Sequence, residues 1–109
     1  MMDFTCDTYV TVPFRDAIAL REHHDSHAAL LGFLTPSQYE ADAENFLNGP
    51  LCPSCYECQR PQGERARFDI MTNRYGAVSA WGHIATYMIL ESITHAYPTN
   101  WEYYVSRCN

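Results

Sequence analysis

The stretch Tyr56–Ile89, YECQRPQGERARFDIMTNRYGAVSAWGHIATYMI, decides the fold. Short runs rich in Tyr, Arg, Phe, Ile, Val and Thr are broken by PQG, MTN and WGH. Runs of this kind, bounded by turn formers, read as strands joined by tight turns. The stretch therefore predicts a four-stranded antiparallel meander over about residues 55–90. The alternation in RARFDI predicts a sheet with one buried face.

Working outward toward the N-terminus, the spacing turns helical. Ile18, Leu20, His24, His27, Ala28 and Leu31 recur at three- and four-residue steps, which predicts a helix from Phe14 to about Leu31, stopped by Gly32. Thr35-Pro36 opens a second helix, with Thr35 as N-cap and Pro36 in the first helical position. Its inward residues are Tyr39, Ala43, Phe46 and Leu47, and Asn48-Gly49-Pro50 ends it. Residues 4–12, FTCDTYVTV, predict an extra edge strand. Toward the C-terminus, a short helix is predicted from Asn100 or Trp101. Helices come first and strands second, so the fold class is α+β: two N-terminal helices packed on a four-stranded antiparallel sheet, with a short C-terminal helix.

The 109 residues suit a single domain, and 47% hydrophobic residues with 14% aromatics suit one small core. Low charge and many rings argue against disorder. No apolar run approaches the roughly 20 residues needed to cross a bilayer, so no membrane partner is expected. MMDFTCDTYVTV has no basic and no apolar leader region, so no secretory signal is expected. The net charge is −6, and all seven basic residues are Arg. Phosphate binding draws its affinity from cations, so RNA contact would need a local basic face. Arg65, Arg67 and Arg74, with Arg60, are the residues that could supply one.

His23, His24 and His27 lie within five residues of the first helix, and His23 and His27 are one turn apart. Imidazole titrates nearest neutrality, so such a pair can give and take protons at cellular pH. Satisfied core histidines are the plainer reading. Cys52, Cys55 and Cys58 form CPSCYEC. Three readings stay open: a zinc site completed by Cys108 or a His, a redox pair or other disulfides such as Cys58 with Cys108, or free thiols. Only three thiols cluster, so no metal is expected to be needed for folding. Asn73 in a turn and Thr86-Tyr87 on the fourth strand are polar groups that can touch phosphate. Asn in a turn more often serves its backbone, and Thr and Tyr suit strands for β-propensity. Trp81-Gly82 predicts a hairpin turn, with an indole that can stack on a base.

In order and spacing, these elements resemble the C-terminal ribonuclease domains of bacterial polymorphic and contact-dependent toxins, with folds of the barnase, EndoU, colicin and RelE kind. The resemblance runs from about residue 20 to 108. It rests on HHDSHA, on Gly32-Phe33 and on YEADAENFLNGP. Further along it rests on Glu57-Cys58, PQGERARFD, TNRYGAV, GHIATYM and WEYYVSRC. It implies a metal-independent ribonuclease without cofactor, acting on RNA, with tRNA among its substrates. His23, His27 and Thr86 would be catalytic. Arg65, Arg67, Asn73, Arg74 and Tyr87 would contact RNA. A cognate immunity protein would be the partner, and the site of action the bacterial cytoplasm after delivery within a secreted parent. Ser26, Ala28, Ala85 and Met88-Ile89-Leu90 stand where the family has basic residues, a glycine and a Lys-Pro ending. Those departures motivate a second expectation from another class: an acidic, non-enzymatic inhibitor of a host nucleoprotein, binding near Glu40, Asp42 and Glu44.

Overall fold

A computed structural model of the chain describes residues 13–32 and 35–109. The elements are α1 (Ala17–Leu31), α2 (Pro36–Asn48), β1 (Cys55–Gln59), β2 (Arg65–Asp69), β3 (Arg74–Val78), β4 (Ile84–Ile89) and α3 (Asn100–Cys108). The four strands lie in chain order, each antiparallel to its neighbour. The fold is therefore α+β, as the turn formers predicted. The edge strand expected at residues 4–12 lies outside the described residues.

Local chemistry sets the boundaries. Thr35 accepts from the Gln38 amide at 3.1 Å, and Pro36 fills the first turn of α2, where a missing N–H costs nothing. Asp16 does the same for α1, accepting from the Ala19 amide at 2.8 Å. That cap moves the helix start three residues past Phe14. Between β2 and β3, Asn73 takes φ 64°, the left-handed conformation that Asn tolerates better than most residues.

One half of the core lies between α1, α2 and the sheet: Phe14, Ala28, Tyr39, Ala43, Leu47, Val78, Ile84 and Tyr87. Gly76 sits beneath Leu47, where a Cβ would stand 2.9 Å from a leucine methyl, so a larger residue here would make the buried Leu47 side chain shift. The pairing of Val78 with Ile84 and Ala77 with Thr86 leaves Ala85 as an extra residue on β4. This bulge turns both Ile84 and Tyr87 toward the helices.

The sheet is covered on both faces, which corrects the expectation of a single buried face. Ala66, Phe68, Tyr75 and Leu90 pack with Tyr104 of α3 on the far side. Phe68 stacks on Tyr104 with ring centroids 5.5 Å apart. Ile18, expected inward, is 69% exposed instead.

Three phenols are sealed in this core. Burial alone raises Tyr39, and burial is the leading cause at Tyr75 and Tyr87. A pKa raised by folding gives stability that is complete below the unfolded value near 10 and is lost as pH rises above it. These phenols are expected not to ionise until the chain unfolds. Of the eight tyrosines, three are expected to give phenolate absorbance only together with the loss of circular dichroism above pH 10; ionisation of all eight before the dichroism changes would contradict the packing.

Candidate functional site

The chain just before α1 runs beside the start of β4. Phe14 bridges Ile84, and the Ile84 amide donates to the Pro13 carbonyl at 2.8 Å. This pairing sets one face of α1 against the β3–β4 turn. The space between them is an open cleft of about 400 Å³ lined by Arg15, Ala19, Glu22, His23, Ser79, Trp81, His83, Ile84 and Ala85.

Two imidazoles share this cleft. His23 Nδ1 lies 2.9 Å from the Ala19 carbonyl oxygen. A carbonyl only accepts, so the neutral ring carries its proton on Nδ1 and keeps Nε2 as its basic nitrogen. The His83 amide donates to Ser79 Oγ at 3.2 Å, which holds the turn, while His83 Nδ1 is buried without a hydrogen-bond partner. Trp81 stands 87% exposed at the rim. A second cavity of about 470 Å³, lined by Arg60, Gln62, Glu64, Ser79, Ala80 and Trp81, opens on the other side of that turn. The Trp81 indole thus borders both spaces.

His27 packs near His23, with ring centroids 5.9 Å apart. Burial, and then the His23 charge, hold His27 below the usual imidazole range. Its own cavity is a different one, shared with Met88, Leu90, Thr94, His95 and Tyr103. Thr86 does not line the cleft that holds His23. Its neighbour Tyr87 is buried against the helices, so strand alternation turns Thr86 to the opposite face of the sheet.

Of the expected RNA-binding residues, Arg65, Arg67 and Tyr87 are held by partners within the fold. Arg67, only 6% exposed, donates from Nε to Glu57 at 2.8 Å and from Nη1 to the carbonyls of Phe46 and Gly49 at 2.8 and 2.9 Å. Arg65 donates to the Leu47 carbonyl at 2.7 Å and to Glu57 at 3.0 Å. Two guanidinium groups thus satisfy carbonyls at the C-terminal end of α2, where the helix dipole favours cations. Burial pushes the Glu57 carboxyl up, but its bonds to Arg67 and Arg65 outweigh this and hold it below the usual range. Arg74 pairs with Asp42 at 3.6 Å, and the Tyr87 hydroxyl donates to the same carboxylate. The Asn73 carbonyl accepts from the Leu90 amide at 2.8 Å.

Arg67→Ala is therefore expected to cost about 3 kcal/mol of folding stability, because it strands helix carbonyls and half-unpairs Glu57. Urea unfolding checks this. An unchanged midpoint would return Arg67 to a role at the surface.

The cysteines among the described residues form two disulfides, Cys52–Cys55 and Cys58–Cys108. The second is the pairing weighed from sequence. The sequence reading missed His83, Ser79, Glu22 and Arg15 as cleft residues. The pairing of Phe14 with Ile84 that gathers them leaves no local spacing signal. No protein-family model matches this chain, and no curated protein matches it.

Proposed function

We propose that the chain is a metal-independent endoribonuclease domain that cleaves exposed, unpaired RNA, with tRNA loops among its substrates. The observation that carries this is the open cleft holding His23 and His83 beside an exposed tryptophan. Cleavage at a 2′-hydroxyl needs a base to take the proton, so that the oxygen attacks phosphorus, and an acid to protonate the departing 5′-oxygen. His23 Nε2 serves as the base, and His83 serves as the acid. Arg15, which donates to Asp16 at 3.0 Å but keeps its terminal guanidinium nitrogens, brings positive charge to the phosphate, and Trp81 stacks an unpaired base. The resemblance to toxin ribonucleases supports the same reading. It brings with it a cognate immunity protein seated over the cleft and action in the bacterial cytoplasm after delivery.

A second reading has its own observation. Arg15, Arg60, Arg65, Arg67 and Arg74 are all paired with carboxylates within the chain. That leaves an acidic body suited to a basic partner, such as an inhibited nucleoprotein.

Incubation of the purified protein with total RNA in EDTA separates the two. Discrete fragments, absent with the His23→Ala protein, support the nuclease. Intact RNA together with binding to a basic partner supports the inhibitor.

A further inference from the structure

The CPSC loop plays no part in the cleft. Its disulfide joins residues three apart, whereas Cys58–Cys108 joins residues 50 apart. A cross-link that closes a short loop restrains the unfolded chain little, so folding protects it less from reduction. Exposure does not separate the two bonds, so loop length does: Cys58 and Cys108 are both half-buried, packed against the aromatic cluster under α3. Cys52 lies half-buried in a surface loop, and Cys55 is buried where β1 begins.

The loop has supports besides the disulfide. Ser54 Oγ donates to Asp69 at 2.7 Å, and its carbonyl accepts from the Ile70 amide at 3.1 Å. The Cys55 amide donates to the Cys52 carbonyl at 2.9 Å. Asp69 is fixed in turn by the Met71 amide and the Thr72 hydroxyl, each at 2.9 Å. Both sulfurs and an Asp69 oxygen lie within 4.8 Å of one another. Opening the bond therefore leaves both sulfurs tethered within reach of each other.

We propose that Cys52–Cys55 is a thiol–disulfide exchange site whose substrates are small thiols and dithiols, while Cys58–Cys108 is the structural bond. An incoming thiolate attacks the half-buried Cys52 Sγ, the more open sulfur of the pair. The Cys52–Cys55 bond breaks, and its electron pair leaves on Cys55 Sγ, which takes a proton from water. A second thiolate attacks the outer sulfur of the mixed disulfide and expels Cys52 Sγ, which is also protonated. The protein disulfide becomes two thiols, and the two attacking thiols become one disulfide. The reverse sequence reoxidises the pair.

The test uses the full chain with Cys6→Ser, so that the fifth cysteine cannot scramble the pairs. The folded protein is equilibrated in glutathione buffers of graded potential, quenched in acid, alkylated and mapped by mass spectrometry. Cys52 and Cys55 are expected to become alkylated while Cys58–Cys108 stays closed and helical dichroism is unchanged. The expected separation is at least a hundredfold in equilibrium constant, about 60 mV for two electrons. Opening of both bonds at one potential, or only with loss of dichroism, overturns the proposal. With Cys55→Ser added, Cys52 should be captured by oxidised glutathione at least about tenfold faster than Cys55 is in the Cys52→Ser protein, because buried thiols react slowly. Equal capture rates overturn the order of attack.

Discussion

Replacing His23 or His83 by alanine is expected to lower RNA cleavage by roughly 10²–10⁴-fold each, the range that general acid–base catalysis supplies. The double replacement should cost much less than the product of the two, because a base without its acid partner is already disabled. Dichroism and the urea midpoint should hold for both single variants, since both rings border an open cleft rather than the sealed core. His27→Ala is the informative contrast. His27 touches the His23 ring but borders another cavity, so its loss should cost less than the loss of His83. Should His27→Ala abolish cleavage while His83→Ala retains it, the acid belongs to α1 and not to the β3–β4 turn. Thr86→Ala should leave the rate unchanged, because Thr86 does not line the cleft that holds His23 and His83.

The Cys58→Ser/Cys108→Ser protein is expected to lose roughly 4 kcal/mol of stability, the chain-entropy value for releasing a loop of this length. The bond joins β1 to the last turn of α3, 50 residues away. At nine residues, α3 is too short to hold helix on its own. It is kept by the disulfide and by Tyr104 on Phe68. Its unpinning should uncover Phe68 and Tyr75, raise dye binding and lower helical dichroism. By the same relation the Cys52→Ser/Cys55→Ser protein should lose only about 2 kcal/mol. Denaturant midpoints of the two variants decide the matter, and equal losses would contradict the division into structural and exchanging bonds.

The meander was legible because its turns are written in local chemistry. PQG, MTN and WGH each hold a residue that tolerates positive φ, and three of these, Gly63, Asn73 and Gly82, adopt it. Thr35-Pro36 announced α2 in the same way. The second buried face was not legible. RARFD reads as polar alternating with apolar, so Arg65 and Arg67 look like a solvent face. In fact that face lies against α2, whose last carbonyls take the guanidinium protons. Charge type alone cannot tell a solvated arginine from one that ends a helix. At the acidic surface expected around Glu40, Asp42 and Glu44, two of the carboxylates also have partners within the chain. Glu40 accepts from the Phe14 amide at 3.1 Å, and Asp42 holds Tyr87 and Arg74. His23 and His27 were found because they lie one turn apart in sequence. His83 was missed because its neighbourhood with His23 is made by a contact between residues 14 and 84.

The inward arginines also govern how the molecule meets a polyanion from a distance. The body carries a net charge of −6 into the encounter, and five of its seven arginines are already paired with carboxylates at short range. Most nucleic-acid binders approach faster in dilute salt, because opposite charges steer them together. On the proposed nuclease reading, this chain would instead approach its own kind of charge, so dilute salt would slow the meeting. Added salt, which shortens the screening length to about 10 Å at 0.1 M, would then let RNA reach the cleft, and screening rather than attraction would set that traffic.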